Sequence, residues 1–459
     1  MGEAHELPAE SRLRPAAPVP RTGLLNRIEA VREIGRNAVA AWSEHAYCEL
    51  YVYDRNWMQD FLLVNDPEGV RHVLLDNTAN YVKSRQVQQT TGPALGNGLF
   101  NADGESWKFQ RRTTAPMFSM RHIAEFAAPM AQVAERGLAH WNDLANGTEF
   151  DAAEEMMRLT YRIIVETMFS GEVGIDYAEM ARHFVTYLDT LGRIDVLGTL
   201  GLPYWAPTPK RLRAGVAIRF FRKEIGALID KRSALIARDA AAAPNDLLTL
   251  LLTTQDPEGG KLFGRDEVYD NVMTFIMAGH ETTANALAWT LYLLSQFPDV
   301  DAKVAAEARA ADGDPARMPY TRQVIDEALR LYPPAPFISR ASVGPDTVGP
   351  IEIRGKTSVL ISPWLIQRHR KLWDDPDYFD PERFAPGRRE KIHRFAYLPF
   401  GAGPRICIGM GFAVQEMLIT LGTILKRWRL SLVPDHPVVP LARLTLRPQF
   451  GIRMTVAPR

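Results

Sequence analysis

Cys407 is the residue of this chain best placed to do chemistry. It lies in the run Phe400-Gly401-Ala402-Gly403-Pro404-Arg405-Ile406-Cys407-Ile408-Gly409. Glycines on both sides let the backbone pass close to a flat ligand. The pattern predicts a helix starting at about Cys407, whose free N–H groups and dipole would stabilise a thiolate. A cysteine in an apolar setting is ordinarily a small buried hydrophobe, and Cys48 keeps that reading. Upstream, Ala278-Gly279-His280-Glu281-Thr282-Thr283 puts an acid and two alcohols in the middle of a long apolar helix. Gly279 has no helical merit there, and Thr282 can bond a backbone carbonyl and distort the helix locally. Glu327 and Arg330 stand three apart, on one helix face, and Pro381-Glu382-Arg383-Phe384 follows. Alone, such an acid–base pair is most often a solvated surface pair. Trp107 and Arg111 share a helix face at a spacing of four, and Arg340 closes Phe337-Ile338-Ser339-Arg340.

In residue type, order and spacing these five groups resemble the cytochrome P450 superfamily, from about residue 45 to the C-terminus. Phe400, Gly401, Gly403, Arg405, Cys407 and Gly409 fill its Phe-Gly-x-Gly-x-Arg-x-Cys-x-Gly loop. The resemblance implies haem b with Cys407 as thiolate ligand to iron, pushing electron density that favours O–O cleavage. It implies that loop N–H groups bond the sulfur, that Phe400 packs on the loop, and that Arg405, Arg111, the Trp107 indole and Arg340 bind haem propionates. By the same resemblance Ala278 and Gly279 let dioxygen and haem approach the helix backbone. Thr282 hydrogen-bonds the activated oxygen and Glu281 helps deliver protons, while His280 faces away into packing or solvent. Glu327, Arg330 and Arg383 form a buried cluster that fixes the loop on the cysteine side of the haem. Peroxide-using relatives typically lose the acid–alcohol pair, which is intact here as Glu281 and Thr282. A thiolate-haem gas sensor would not need it. The wording is closer to the fatty-acid-hydroxylating and eukaryote-like branch, and the resemblance places a pocket for a hydrophobic substrate at 86–100, near 188–200, at Met277 and Ala278, at 335–338 and near Leu441.

The elements that must position these residues are mostly helical. Helical patterning covers 24–42, most of 67–252, 265–297, 319–331 and 409–430. Strand patterning covers 47–53 and 60–64, with Asn56 in the turn between them, and a hairpin is expected at 351–361 around Arg354-Gly355. Irregular breaks fall at 90–101 and 198–209, and 363–406 is irregular throughout. The fold class is therefore mainly α with minor β. It is expected as an extended arm over 1–23 and one P450 domain over 24–459, with haem between the long central helix and the cysteine-loop helix. A net charge of +0 gives no global attraction to nucleic acid. Two cysteines build neither a disulfide framework nor a structural zinc site. No run reaches the roughly 18 apolar residues of a membrane span, and the N-terminus carries acids where a signal peptide needs bases. The expectation is a cytoplasmic monomer without membrane anchor, taking electrons from NAD(P)H through a separate ferredoxin or flavodoxin and its reductase, because the chain ends soon after the haem helix. Arg388, Arg389, Lys391 and Arg394 form a basic cluster that is either a solvated loop or a dock for an acidic partner.

Overall fold

Apolar runs of three turns or more make helices here, and short β-branched and aromatic runs make strands at their margin. The computed structural model describes residues 13–23, 27–55, 60–174, 176–191 and 209–459. The principal helices are α1 (Arg27–Arg36), α2 (Glu44–Cys48), α3 (Arg85–Leu95), α4 (Gly104–Thr114), α5 (Ala152–Met168), α6 (Tyr177–Leu191), α7 (Pro209–Arg238), α8 (Arg265–Gln296), α9 (Pro298–Ala311), α10 (Pro319–Leu331) and α11 (Met410–Leu425). The 32-residue α8 is the spine. Its N-terminus is satisfied locally, with the Gly264 N–H donating to the Glu267 carboxylate at 2.8 Å. From Val268 to Leu294 its side chains are almost all buried, the pattern of a core helix covered on every side. Helices α5, α7, α10 and α11 all pack on it. Pro298 both ends α8 and opens α9 at its first helical position.

The main sheet has the order β1-β2-β8-β5-β3, built from β1 (Tyr51–Asp54), β2 (Phe61–Val64), β3 (Tyr81–Lys83), β5 (Ile338–Ser342) and β8 (Ser358–Ile361). All its pairings are antiparallel except β2 with β8. Strand β4 (Glu149–Asp151) joins β12 (Arg453–Pro458) and β9 (Trp428–Leu432), while β6 (Asp346–Val348) pairs β7 (Ile351–Ile353) and β10 (Pro440–Ala442) pairs β11 (Leu446–Pro448).

Several expectations are corrected. The hairpin at 351–361 does not form. Gly349, at φ +57°, turns β7 back onto β6, and β8 buries Val359 and Ile361 in the main sheet between β2 and β5. The irregular break at 90–101 is helical as far as Leu95, because Pro93 removes only one hydrogen bond near the end of α3, and Gly96 at φ +50° stops it. Tyr47 and Cys48 belong to α2, and the strand begins at Tyr51. The pattern over 24–42 gives α1 and then a short 3-10 turn, Ala38–Ala41. Helix α11 stops at Leu425, after which Trp428–Leu432 alternates as a strand. Asn56, the break at 198–208, pocket positions 192–200 and the first twelve residues of the arm lie outside the described residues. The described part of the arm is tied down: the Ala16 N–H donates to Tyr292 and its carbonyl accepts from Tyr332.

Asp346 anchors the β6–β7 hairpin to the main sheet. Its Oδ2 accepts from Tyr81 at 2.7 Å, and lies 2.9 Å from His72 Nε2 and 2.9 Å from Asn77 Nδ2. Burial pushes this carboxyl up, but those hydrogen bonds and the Thr347 N–H outweigh it and hold it at about 2. A carboxyl depressed on folding contributes stability that is present above the unfolded value of about pH 4 and is lost as the pH falls toward the folded value. Asp346→Asn is therefore expected to lower the unfolding free energy by about 1–2 kcal/mol at neutral pH, and by less on acidification. Urea denaturation at pH 7 and pH 3 checks this. An equal loss at both would contradict it.

Candidate functional site

The cysteine loop is held from both sides. The Cys407 N–H donates to the Phe400 carbonyl at 2.9 Å, and the Ile406 N–H to Gly403 at 3.1 Å. Gly403 has φ +71°, and a Cβ there would lie 1.8 Å from the Leu74 carbonyl oxygen. That glycine lets the loop lie against the Leu74 backbone. Gly401, at φ +72°, is required by its left-handed conformation. Helix α11 starts at Met410 with Gly409 as its N-cap, so Cys407 precedes the helix instead of opening it. Burial pushes the Cys407 thiol up and outweighs the Gly409 N–H and the nearby Arg111 charge, which pull it down. The side chain nevertheless has accessible surface. Cys407 is thus surrounded by the fold yet keeps accessible surface.

The middle of α8 is open in the same way. Ala278 is exposed, and Gly279 and Thr282 are half-exposed, between flanking turns that are almost wholly buried. The Thr282 hydroxyl donates to the Ala278 carbonyl at 2.8 Å and Thr283 to Gly279 at 3.1 Å, and the helix continues unbroken through them. Gly279 also allows close packing on its other side. A Cβ there would lie 2.2 Å from Ile164 Cδ1, so the glycine serves the close packing of α5. His280 is buried between Tyr161 and Phe184, with Nδ1 2.7 Å from the Ile276 carbonyl, and faces away from Thr282. Glu281 also turns away. Its Oε1 accepts from the Thr445 hydroxyl at 2.6 Å, and no hydrogen bond joins it to Thr282 among the described residues. Burial pushes its carboxyl up, against the Thr445 bond and the Arg447 charge.

Four cations gather near the cysteine loop. Lys83 and Arg340 are direct cross-strand partners on β3 and β5. Burial, then the Arg340 and Arg405 charges, push Lys83 down to about 7; burial and Arg405 push Arg340 down to about 10. Like charges opposite one another in a sheet repel, and Asp103 is the one acid whose charge opposes them. Arg405 is engaged by Asp103 and by the Ala102 carbonyl at 2.8 Å, and lies 4.6 Å from the Trp107 ring centre. Arg111, one turn beyond Trp107, also projects its charge onto Cys407. An accessible thiol beside clustered, mutually repelling cations is the donor set of a metal-centred, anionic ligand, and haem with its two propionates fits it. Lys83 carried no signal in the sequence, because only strand pairing brings it opposite Arg340.

Below the loop lies a buried ion cluster. Arg330 donates to both Glu327 oxygens, at 2.6 and 2.7 Å, with both side chains 0% exposed. Its remaining donors take the carbonyls of Gln367, Pro376 and Tyr378 at 2.8, 2.7 and 2.9 Å. Arg383 Nε stands 3.4 Å from Glu327, and its other nitrogens donate to Asp374 and Asp375 carbonyls at 2.5 and 2.7 Å. Gln367, not singled out in the sequence, continues the chain: its Oε1 accepts from the Leu398 N–H at 2.8 Å, two residues before Phe400. A cleft of about 1380 Å³ between α5 and α6, walled by Arg158, Glu166, Asp176 and Arg182 among others, meets this site only through Tyr161, which packs on His280.

The sequence profile of the family described as Cytochrome P450 matches residues 20–454. The chain is 35% identical over 382 residues to the cyclooctat-9-en-7-ol 5-monooxygenase of Streptomyces melanosporofaciens, covering 80% of each. It is 31% identical over 404 residues to the pentalenene oxygenase of Streptomyces avermitilis, covering 86% of this chain and 87% of that one. The solved haem domain of cytochrome P450DA superposes with a TM-score of 0.83 at 25% identity, over 96% of this chain and 98% of that one.

Removing Arg383 leaves the Glu327–Arg330 pair in place but strips the Asp374 and Asp375 carbonyls of their donors, at a cost of about 1–3 kcal/mol. Arg383→Ala is expected to lose stability on that scale and to retain little haem, read as the haem-to-protein absorbance ratio after purification. Normal haem content with unchanged stability would contradict the role given to the cluster.

Proposed function

The chain belongs to the cytochrome P450 family and is a haem monooxygenase, and from that premise we propose that Cys407 is the thiolate ligand and that the enzyme inserts one atom of dioxygen into a hydrophobic organic molecule. The other atom leaves as water, with electrons from NAD(P)H passed by a separate ferredoxin or flavodoxin and its reductase. The observation that carries this reading is the accessible yet enclosed Cys407 sulfur, bonded by the Gly409 N–H and faced by Arg111. The haem supplies oxygen activation when bound. The chain supplies the rest. Gly409 and Arg111 favour the anionic sulfur against the burial that opposes it. Lys83, Arg340, Arg405 and Arg111, with the Trp107 indole, bind the propionates. Ala278, Gly279 and Thr282 line the dioxygen side, where Thr282 orients the proton that Glu281 provides. Glu327, Arg330 and Arg383 hold the loop. Residues 24–459 act as one domain, in a cytoplasmic monomer.

A hydrophobic substrate is supported by apolar residues at the expected pocket positions: Leu99, Met277 and Leu441 are buried, while Ala278 and Ala335 are accessible. Two relatives are named for pentalenene and for cyclooctat-9-en-7-ol, by those names an alkene and an alkenol. No described helix is long and apolar enough to cross a membrane. The basic cluster is partly committed: Arg388 pairs with Asp380 at 3.1 Å and Arg389 with Asp326 at 2.6 Å. Among the described residues Lys391 and Arg394 have no ion-pair partner, so docking of an acidic redox protein rests on those two.

Titrating the ferric protein with hydrophobic compounds, pentalenene among them, and following the low- to high-spin shift tests the substrate class. A response to polar compounds alone would overturn it. Thr282→Ala should keep consuming reductant while product per electron pair falls at least about tenfold; full coupled product formation would instead favour peroxide-driven chemistry. Reversing Lys391 and Arg394 to Glu should slow the first electron transfer about tenfold at low salt and flatten its salt dependence. An unchanged rate in stopped-flow reduction would place docking elsewhere.

A further inference from the structure

An acid that hands on a proton needs it on a defined oxygen aimed in a defined direction. Glu281 and Thr282 are neighbours in sequence, but successive side chains on a helix project about 100° apart. Thr282 faces the open side of α8, whereas Glu281 faces the β10–β11 turn, where Thr445 donates to its Oε1 at 2.6 Å. That turn is fixed independently of the contact. The Leu446 N–H donates to Pro334 at 2.9 Å, and the Arg443 N–H to the Thr445 carbonyl at 3.1 Å. The Ala442 N–H donates to Asn37 at 2.9 Å, and Asn37 Nδ2 to the Pro440 carbonyl at 2.8 Å. Trp289, two turns along α8, reaches the Leu446 carbonyl at 3.4 Å. Thr445 is therefore a donor on a rigid mount. The second carboxyl oxygen, Oε2, has no hydrogen-bond partner among the described residues. The charged and titratable groups around this turn of α8 are Arg447 on β11, whose charge favours the ionised acid, Tyr161 on α5 against His280, and Glu416 on α11 against Thr283.

We propose that Thr445 is a positioning residue for proton delivery: by occupying Oε1 it directs the Glu281 proton onto Oε2 and keeps the carboxyl from rotating out of use. The proposal rests on Glu281 being the proton source. Delivery breaks the Oε2–H bond, forms an O–H bond to a solvent water that carries the proton toward the Thr282 side, and leaves a carboxylate stabilised by the Thr445 hydroxyl and the Arg447 charge. Water then replaces the proton, and no electron moves. Removing the hydroxyl leaves the acid form without its orienting bond and the ionised form less stable, so delivery slows and more of the consumed dioxygen leaves as hydrogen peroxide.

The test compares holoprotein carrying Thr445→Val, which keeps the shape, Thr445→Ser, which keeps the hydroxyl, and Glu281→Gln. The carboxyl C=O stretch of Glu281, identified by glutamate carbon-13 labelling and by its loss in Glu281→Gln, is followed by infrared spectroscopy across pH in the resting protein. During turnover driven by a surrogate ferredoxin and reductase, the ratio of hydrogen peroxide released to water formed from dioxygen is measured. Thr445→Val should move the band to higher wavenumber, shift its titration upward and raise that ratio about fivefold, the factor for one net hydrogen bond. Thr445→Ser should restore all three. If Thr445→Val leaves band and ratio unchanged while Glu281→Gln raises the ratio, the proposal is overturned and the role of Glu281 stands. An unchanged ratio in Glu281→Gln overturns the role of Glu281 and the proposal with it.

Discussion

The site depends on keeping negative charge on a sulfur that burial drives toward the neutral thiol. An anion inside a protein is tolerated only if fixed donors and charges replace the water it has lost. Here the Gly409 N–H and the Arg111 guanidinium offset only part of that burial, and a bond to iron would have to supply the rest. Both must stay in register with Cys407 to within a few tenths of an ångström, because a hydrogen bond weakens steeply with misalignment. The surrounding architecture supplies that rigidity.

Two anchors hold the loop from opposite sides. One is steric: Gly403 presses against the Leu74 carbonyl, leaving no room for any side chain. The other is electrostatic and runs from Glu327 through Arg330 to Gln367 and on to the Leu398 N–H. Buried ions are a poor source of net stability, but the saturated hydrogen-bonding of Arg330 makes alternative arrangements costly. A cluster of this kind suits a loop that must have one conformation. The cations on the far side work differently. Lys83 and Arg340 are held opposite each other at a cost, and that cost favours whatever anion separates them.

Much of this was legible in the sequence where spacing along one helix is enough. The bounds of α8 and α10 follow from capping acids and prolines, and the Glu327–Arg330 pair follows from helical periodicity. The extended Phe400–Gly409 run could be read because a backbone-defined loop leaves its glycines in the sequence. Contacts that arise only when distant segments meet were not legible. Lys83 faces Arg340 across 257 residues through strand register, and Thr445 meets Glu281 through a hairpin with no motif of its own. The errors have the same cause. Gly279 and Gly403 are legible as places of close approach, but the sequence does not say that Ile164 and Leu74 are among what approaches them. The 351–361 segment was misassigned because a turn signal at Arg354-Gly355 cannot reveal that β8 is claimed by two other strands.

The central claim is that the Cys407 thiolate is the ligand around which these devices are arranged. It is tested most directly by the absorbance of the dithionite-reduced, carbon-monoxide-bound protein, compared between the natural chain and Cys407→Ala. The natural protein should show the red-shifted Soret band of a thiolate-ligated haem, and the variant, even when it retains haem, should lose it. A red-shifted band that survives in Cys407→Ala would contradict the account.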